Sequence, residues 1–164
     1  MFSALYTIGI SLFLIVGMPA IVEAFETKDL ETLYATGMCQ SCNVIRVKLT
    51  GTNLSYADLN KVSLIGADLS KTDLKGANLN WAVLRMVSLR GSDLSDGKLI
   101  KVNLRKADLT GANLSRSNLS GAYLREANLT NANLNEADLT GAIMTGAVFC
   151  LTTMPDGTTN NSDC

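Results

Sequence analysis

The residues with the most reactive side chains in this chain are its four cysteines, and two of them lie close together. Cys39 and Cys42 form a Cys-x-x-Cys motif, a spacing found in thiol–disulfide exchange proteins. A structural disulfide or two packed thiols would give the same spacing. The chain contains no histidine, and Cys150 and Cys164 are distant in sequence, so a zinc site is disfavoured. The motif leaves a redox function open.

Asp and Asn residues are frequent, but a regular repeat explains them without catalysis. The sequence contains neither a nucleophile elbow nor a phosphate-binding loop, and Gly66, Gly76 and Gly111 fall at equivalent positions of the same repeat. We therefore expect a protein that is not an enzyme and that has no catalytic residue, no cofactor and no metal site.

The repeat is five residues long and extends over most of the chain. Nineteen leucines follow one another at this spacing from Leu49 to Leu139, and Val44, Met144 and Phe149 keep the phase. The residue two positions before the Leu is Ala in ten units, and the residue directly before it is Asp or Asn in thirteen. This period fits neither an α-helix nor a flat strand.

The composition of each unit predicts a coil. One large and one small apolar residue per unit would fill a narrow interior, while Asp and Asn favour turns and bond nearby backbone N–H groups. A turn every five residues forms a coil whose successive turns stack through backbone hydrogen bonds, which is the arrangement of a solenoid.

The units of the form Ala-(Asp/Asn)-Leu-x-x resemble the pentapeptide repeat family. The resemblance covers about residues 43–150 and implies an all-β fold, a right-handed quadrilateral parallel β-helix with four units and twenty residues per coil. The apolar N-terminus, a short helix, the Cys-x-x-Cys motif and the C-terminal segment from Phe149 to Gly157 resemble exported members of cyanobacteria and chloroplast lumens. The resemblance therefore implies a location in the thylakoid lumen or the periplasm.

The segments on either side of the repeat predict an exported protein with capped ends. Residues 1–24 are apolar and end in a small-residue cleavage pattern, which predicts a signal peptide; an uncleaved membrane anchor is the alternative. Residues 25–42 predict a short capping α-helix, with Thr27 as its N-cap and Gly37 as its stop. Residues 43–150 form the predicted solenoid, and residues 151–164 the C-terminal cap.

The length of the predicted solenoid limits the disulfide pairing. Cys39 and Cys42 lie at one end and Cys150 and Cys164 at the other, about 26 Å apart. A disulfide requires Cα atoms within about 7 Å. The expected pairs are Cys150 with Cys164, tying down the C-terminal cap, and, if oxidised, Cys39 with Cys42. Cys42 has the phase of an inward small residue, which favours a structural role for that pair over a redox role.

Charge excludes some partners. Beyond residue 24 the chain has 14 basic and 14 acidic residues, so we expect no nucleic-acid binding, which needs a cationic surface, and no DNA mimicry, which needs an acidic one. Contact with a membrane is expected only through the N-terminal segment, if that segment is not cleaved.

Departures from the repeat predict a binding surface for a protein partner. With twenty residues per coil, positions twenty apart stack in a column. A stacked apolar patch with a basic rim then forms on adjacent faces. Its predicted members are Ile65, Trp81, Val83, Met86 and Ile100, with Arg85, Arg105, Lys61 and Lys101 at the rim and Arg125 continuing the arginine column. Enrichment in aromatic residues, Met and Arg is typical of interfaces, although the arginine column could also be a solvated face.

These observations favour a non-enzymatic scaffold that binds a lumenal or membrane-associated protein complex. The first alternative is a thiol-redox protein acting through Cys39 and Cys42. Gyrase protection by DNA mimicry, known in other members of the family that the sequence resembles, is the less favoured second alternative.

Overall fold

The computed structural model describes the backbone of residues 20–164 and the side chains of residues 28–164. Residues 1–19, which hold most of the predicted signal peptide or anchor, lie outside the described residues.

The chain enters the coil through one helix, α1, which spans Ala20–Thr36. The predicted N-cap at Thr27 is wrong, because Thr27 lies inside this helix. Residues 20–36 contain no Gly or Pro and are rich in Ala and Glu, so no helix-breaking residue prevents the helix from beginning before Thr27. The predicted stop is confirmed: Gly37 has a φ of 64°, and its N–H donates to the carbonyl of Leu33 at 2.9 Å.

Helix α1 covers the first coil. Leu33 is buried in the core and Leu30 packs against it, whereas Tyr34 remains exposed. The carboxylate of Asp29 accepts a hydrogen bond from the N–H of Asn43 at 2.9 Å and joins the helix to the coil. Within residues 20–164 there is no helix with the length and apolar character needed to cross a membrane.

The rest of the chain forms a coil of twenty residues per turn. From Met38 to Thr153, every fifth residue forms a parallel bridge with the residue twenty positions away, which gives six coils with four faces. The twenty-residue spacing expected from the family resemblance is confirmed. The bridging residues of the first face are Met38, Asp58, Asn78, Lys98, Asn118 and Asp138. Those of the second face are Asn43, Ser63, Val83, Asn103, Tyr123 and Ile143. Those of the third face are Lys48, Asp68, Ser88, Asp108, Asn128 and Val148. Those of the fourth face are Asn53, Asp73, Asp93, Asn113, Asn133 and Thr153.

A two-residue corner follows each core residue and separates one face from the next. After Leu69, for example, the N–H of Thr72 donates back to the Leu69 carbonyl at 3.2 Å, and Lys71 has a φ of 57°. A positive φ at the third position of a tight turn favours glycine, which explains why glycines recur at this position. The carboxylate of Asp68 supports the corner by accepting from the N–H of Ser70 at 3.0 Å.

The interior is a stack of leucines with small residues between them. The repeat leucines from Leu49 to Leu134 are all buried, as are the alanines two positions before them, such as Ala67 and Ala112. Where a hydroxyl replaces the Ala, it bonds the backbone: the Thr72 hydroxyl donates to the Leu49 carbonyl at 2.9 Å. This interior places every bridging residue on the outside of the coil.

The bridge ladder is longer than residues 43–150 at both ends. At the start, Met38 bridges Asp58. Cys39 is 1% exposed and occupies the position of a core Leu. At the end, Thr153 still bridges Asn133, and Met154 packs against the core. The phase of the repeat therefore continues beyond residue 150, because Thr and Met at residues 152–154 replace the usual residues without changing it.

The C-terminal residues fold back on the last coil. Two short strands, β1 (Thr152–Thr153) and β2 (Thr159–Asn160), pair antiparallel. Cys150 is bonded to Cys164, with Cα atoms 4.8 Å apart. A crosslink that closes a loop of about 15 residues contributes roughly 3 kcal/mol in the chain-entropy account, so this bond holds the tail against the coil.

Candidate interaction surface

The second face differs from the other three in its outer column. None of its six bridging residues is Asp or Glu, whereas each other face carries two aspartates in its bridging column. The two corners beside it hold seven of the chain's 14 lysines and arginines and one acidic residue, Glu126. These basic residues are Arg46, Lys61, Arg85, Lys101, Arg105, Lys106 and Arg125. A chain that is nearly neutral overall therefore has a basic side.

The first corner of the second face is centred on Trp81. The indole is 51% exposed, and the residue has a φ of 62°. The ammonium of Lys101, one coil further on, lies 4.4 Å from the centre of the Trp81 ring, which is cation–π geometry. Gly121 lies in the next coil, and a Cβ there would come within 3.2 Å of the Lys101 side chain. Trp81, Lys101 and Gly121 therefore stack in successive coils.

The second corner carries the three stacked arginines and Met86. The N–H of Met86 donates to the carbonyl of Arg105 at 3.0 Å, and the N–H of Lys106 donates to the carbonyl of Arg125 at 2.9 Å, so these corners belong to adjacent coils. Met86 is 53% exposed. The ammonium of Lys106 lies 3.4 Å from the carboxylate of Glu126.

The arginines of this corner differ from those elsewhere in their partners. Arg90 bonds the Asp108 carboxylate at 2.9 Å, and Arg116 bonds the Asp96 carboxylate through two nitrogens, at 2.8 and 3.0 Å. The hydrogen bond from Arg116 lowers the pKa of Asp96. Within residues 28–164, the ion pairs of the structure include none with Arg85, Arg105 or Arg125.

The structure brings all eight predicted binding residues to the second face and its corners. Val83 lies in the bridging column, and Trp81, Met86, Arg85, Arg105 and Arg125 lie at its corners. Ile65 precedes Gly66, whose N–H donates to the Arg85 carbonyl at 2.9 Å, and Ile100 accepts from the N–H of Trp81 at 2.9 Å. Ile65, Val83 and Ile100 are only half-exposed, so Trp81 and Met86 supply most of the protruding apolar surface.

Two further residues of this surface were missed by the sequence reasoning. Tyr123 and Ile143 are 43% and 39% exposed and lie in the same bridging column as Val83. The signal was available, because both replace the usual Asp or Asn and both lie at multiples of twenty residues from Val83. We define the candidate binding surface as the second face together with its two corners.

The same replacements remove turn support from the second face. Only Asn103 in this column accepts a hydrogen bond from the N–H two residues on, at 3.3 Å. Asn43, Ser63, Val83, Tyr123 and Ile143 make no such bond among the described residues, and Val83 and Ile143 have no side-chain oxygen to make one. The second face therefore lacks a stabilising feature of the repeat over most of its length.

The remaining candidate chemistry lies in the cysteines. Cys39 is bonded to Cys42, with Cα atoms 5.3 Å apart. The buried position of Cys39 favours a structural staple, since thiol exchange requires an accessible sulfur. No group of three or more His, Cys, Asp or Glu residues suited to a metal occurs in the part of the chain that the structure describes.

Comparisons with known proteins identify the repeat. The model for pentapeptide repeats matches residues 107–146 and 117–154, and the model for the pentapeptide repeat region matches residues 39–114. A pentapeptide repeat protein of the cyanobacterium Cyanothece 51142 is 32% identical in sequence and superposes with a TM-score of 0.71. The match covers 74% of this chain and 97% of the cyanobacterial chain.

Two other solved structures are similar in sequence. A pentapeptide repeat protein of the Arabidopsis thaliana thylakoid lumen is 31% identical over 62% of this chain and 67% of its own, with a TM-score of 0.40. HetL of Nostoc sp. Strain PCC 7120, described as involved in heterocyst differentiation regulation, is 31% identical over 75% of this chain and 64% of its own, with a TM-score of 0.34. No curated protein matches the sequence.

Proposed function

Because the chain belongs to the pentapeptide repeat family, we propose that it is a non-enzymatic scaffold whose second face binds a protein partner in an exported compartment. The observation that carries this proposal is the difference between the second face and the others: apolar and basic residues collect there, in a molecule of balanced charge. The resemblance that suggests this function also supports a right-handed coil.

The exposed apolar residues support a binding role because they cluster beside one face. Trp81 and Met86 lie at the two corners of the second face, and each is about half exposed. Tyr123 and Ile143 add exposed apolar surface to the same face. Clustered exposed apolar residues are typical of interaction sites, whereas the positive φ of Trp81 and Met86 is shared by corners all round the coil, such as Lys71.

Two sets of observations support export. Both cysteine pairs are bonded, and structural disulfides persist in oxidising compartments. Residues 1–24 have the composition of a signal peptide. We propose that the segment is cleaved after Ala24 and that the mature protein resides in the thylakoid lumen or the periplasm; an uncleaved anchor remains the alternative.

Sequencing of the N-terminus of the protein isolated from its source cell tests the export step. Cleavage predicts a mature chain that begins at Phe25, recovered with the lumenal or periplasmic fraction. A chain that begins at Met1 and stays with the membrane would contradict cleavage and support an anchor. A chain that begins at Met1 and is recovered with the cytoplasm would overturn export.

Crosslinking mass spectrometry in the source cell tests the binding surface. We compare the wild-type protein with the double variant Trp81→Glu/Met86→Glu. Tyr56→Glu is the matched control, because Tyr56 is 75% exposed, has a φ of 58° and lies on a corner beside the fourth face. We expect the double variant to fold and its yield of partner crosslinks to fall at least tenfold. The control should keep the wild-type yield. Unchanged crosslinking of the double variant would overturn the proposed surface.

The two alternative functions have less support. DNA mimicry requires an acidic surface, and the most distinctive face here is basic. A redox function through Cys39 and Cys42 requires access to a sulfur, whereas Cys39 is 1% exposed in the position of a core Leu and Cys42 is partly buried against the core.

A further inference from the structure

The arginine column of the second face lacks the anions that its arginines could bind. Arg85, Arg105 and Arg125 stack one coil apart, and within residues 28–164 they take part in none of the ion pairs of the structure. Stacked cations repel one another, so this column is unfavourable in the isolated chain and becomes favourable when anions lie opposite it. Guanidinium groups pair well with carboxylates, because two N–H groups match two oxygens.

The middle of the second face restricts the partner further. Ser63, Val83 and Asn103 are partly buried between more exposed corner residues, so the centre of the face is neutral and slightly recessed over these coils. Toward the C-terminal end, Tyr123 and Ile143 make the same column apolar and more exposed. A matching partner has a neutral or apolar stripe along its centre and acidic groups at one edge. Duplex DNA and an anionic lipid surface present their charge more evenly.

The spacing of the arginine column favours a helix over an extended strand. Successive coils lie about 4.8 Å apart. Carboxylates that recur once per helical turn are about 5.4 Å apart, whereas alternate residues of a strand are about 6.6 Å apart. Over the two steps from Arg85 to Arg125, the mismatch is about 1 Å for the helix and about 4 Å for the strand.

We propose that the second face binds an acidic amphipathic protein helix that lies along the axis of the coil and sets one carboxylate opposite each of Arg85, Arg105 and Arg125. The apolar stripe of this helix packs on Val83 and Tyr123, and the Trp81 corner borders its other side. This inference deepens the proposed function and rests on it.

The test uses a designed helical peptide of about 18 residues, long enough to span the six coils at 1.5 Å per residue. It carries an Ala and Leu stripe and one Glu per turn on one flank; a second peptide has the same composition with the Glu residues scattered. The protein is the chain as isolated from the cell, with both disulfides formed. Binding is measured by fluorescence anisotropy of the labelled peptide.

The variant Arg85→Gln/Arg105→Gln/Arg125→Gln removes the column. The control Lys71→Gln/Lys75→Gln/Lys98→Gln removes the same charge away from the second face and its corners. We expect the wild-type protein to bind the ordered peptide at least tenfold more tightly than the scattered one. The arginine variant should lose at least tenfold in affinity, and the lysine control less than threefold.

Three results would overturn the acidic helix as the partner. The first is equal affinity for the two peptides, and the second is equal loss in the two variants. The third is tighter binding to phosphatidylglycerol vesicles or duplex DNA than to the ordered peptide, with that binding lost in the arginine variant. If the peptide fails while partner crosslinks in the cell still depend on Trp81 and Met86, the scaffold function stands and only this partner class falls. If both fail, the proposed function falls as well.

Discussion

The second and fourth faces lie on opposite sides of the same coil, ten residues apart in a twenty-residue turn, and their outer columns differ although the backbone is the same. On the fourth face, Asp and Asn side chains bond the corners and one another. On the second face, most of these side chains are replaced by apolar or small residues, and the neighbouring Arg85, Arg105 and Arg125 take part in none of the ion pairs within residues 28–164. Because the core is the same behind both faces, the outer column can change without altering the fold.

The fourth face satisfies its own polar groups. Its Asp and Asn residues accept from the N–H two residues on, as Asp93 does from Ser95 at 2.9 Å and Asn133 does from Asn135 at 3.0 Å. The amide of Asn113 donates to Asp93 at 3.0 Å, and that of Asn133 donates to Asn113 at 3.4 Å. These groups are occupied within the protein, so the fourth face contributes to stability, while the second face makes fewer such bonds.

The largest expected difference concerns Asn113 on the fourth face and Asn103 on the second. Asn113 takes part in three hydrogen bonds, with Asp93, Ser115 and Asn133, whereas Asn103 accepts one at the corner. We expect Asn113→Ala to lower the free energy of unfolding by about 2 kcal/mol and Asn103→Ala by about 0.5 kcal/mol. Urea unfolding followed by circular dichroism measures both. Equal losses would contradict the difference between the faces.

Restoring a polar residue to the second face should stabilise the coil. In Val83→Asn, the new side-chain oxygen can accept from the N–H of Arg85, as Asn103 does from Arg105. We expect a gain of roughly 0.5 to 1 kcal/mol in the free energy of unfolding, together with weaker partner binding. The urea midpoint and the crosslinking yield measure the two effects. A variant that is less stable than wild type would show that Val83 packs better than its half-exposure indicates.

The arginine column should make stability depend on salt. Coils about 4.8 Å apart bring the arginines close together, and two cations about 5 Å apart would repel by at most about 1 kcal/mol in water, a repulsion that salt screens. We expect Arg85→Gln/Arg105→Gln/Arg125→Gln to be about 1 kcal/mol more stable than wild type in 10 mM salt, with the difference lost in 1 M salt. Lys71→Gln/Lys75→Gln/Lys98→Gln should show no such gain. The free energies of unfolding of the wild type and the two triple variants, measured in 10 mM and in 1 M salt, test this expectation. A gain that is equal in the two triple variants, or that persists in 1 M salt, would contradict repulsion within the arginine column.

The smallest expected effect is the acid sensitivity of the faces that carry aspartates. A hydrogen bond from the Ser70 hydroxyl, then the Ser70 N–H and Thr50, lower the pKa of Asp68 on the third face. Hydrogen bonds from Thr140 and Ser120 lower the pKa of Asp138 on the first face. A lowered folded-state pKa stabilises the protein above the unfolded value of about 3.9, and this contribution is lost as pH falls through the lowered pKa.

Replacing these two carboxylates should therefore make the stability of the protein less dependent on pH in the acid range. We expect Asp68→Asn/Asp138→Asn to lose less stability than wild type between pH 4 and pH 2, whereas Val83→Asn on the second face, which changes no titrating group, keeps the wild-type slope. Thermal melts across this range measure the slopes. An unchanged slope in the double Asn variant would show that these two carboxylates do not contribute to the acid sensitivity of the coil.

The five-residue period predicted the coil, and the family resemblance supplied the twenty residues per turn from which the stacking of the second face follows. Once twenty residues make a turn, Trp81 must lie beside Lys101, and Arg85 beside Arg105. The ends were harder to predict, because Cys39 and Met154 replace Leu in the core and helix α1 has no start signal stronger than the apolar stretch before it. Ion pairs such as Arg90 with Asp108 depend on the conformations in which long side chains reach from one coil to the next, and the period does not specify these conformations.

The most direct test of the account places a photo-crosslinking amino acid at Asn103 or at Asn113, two bridging positions with the same backbone on opposite faces. After irradiation in the source cell, we predict a covalent partner adduct from position 103 and none from position 113. Equal adducts from both positions, or an adduct from position 113 alone, would contradict the claim that the second face is the binding surface.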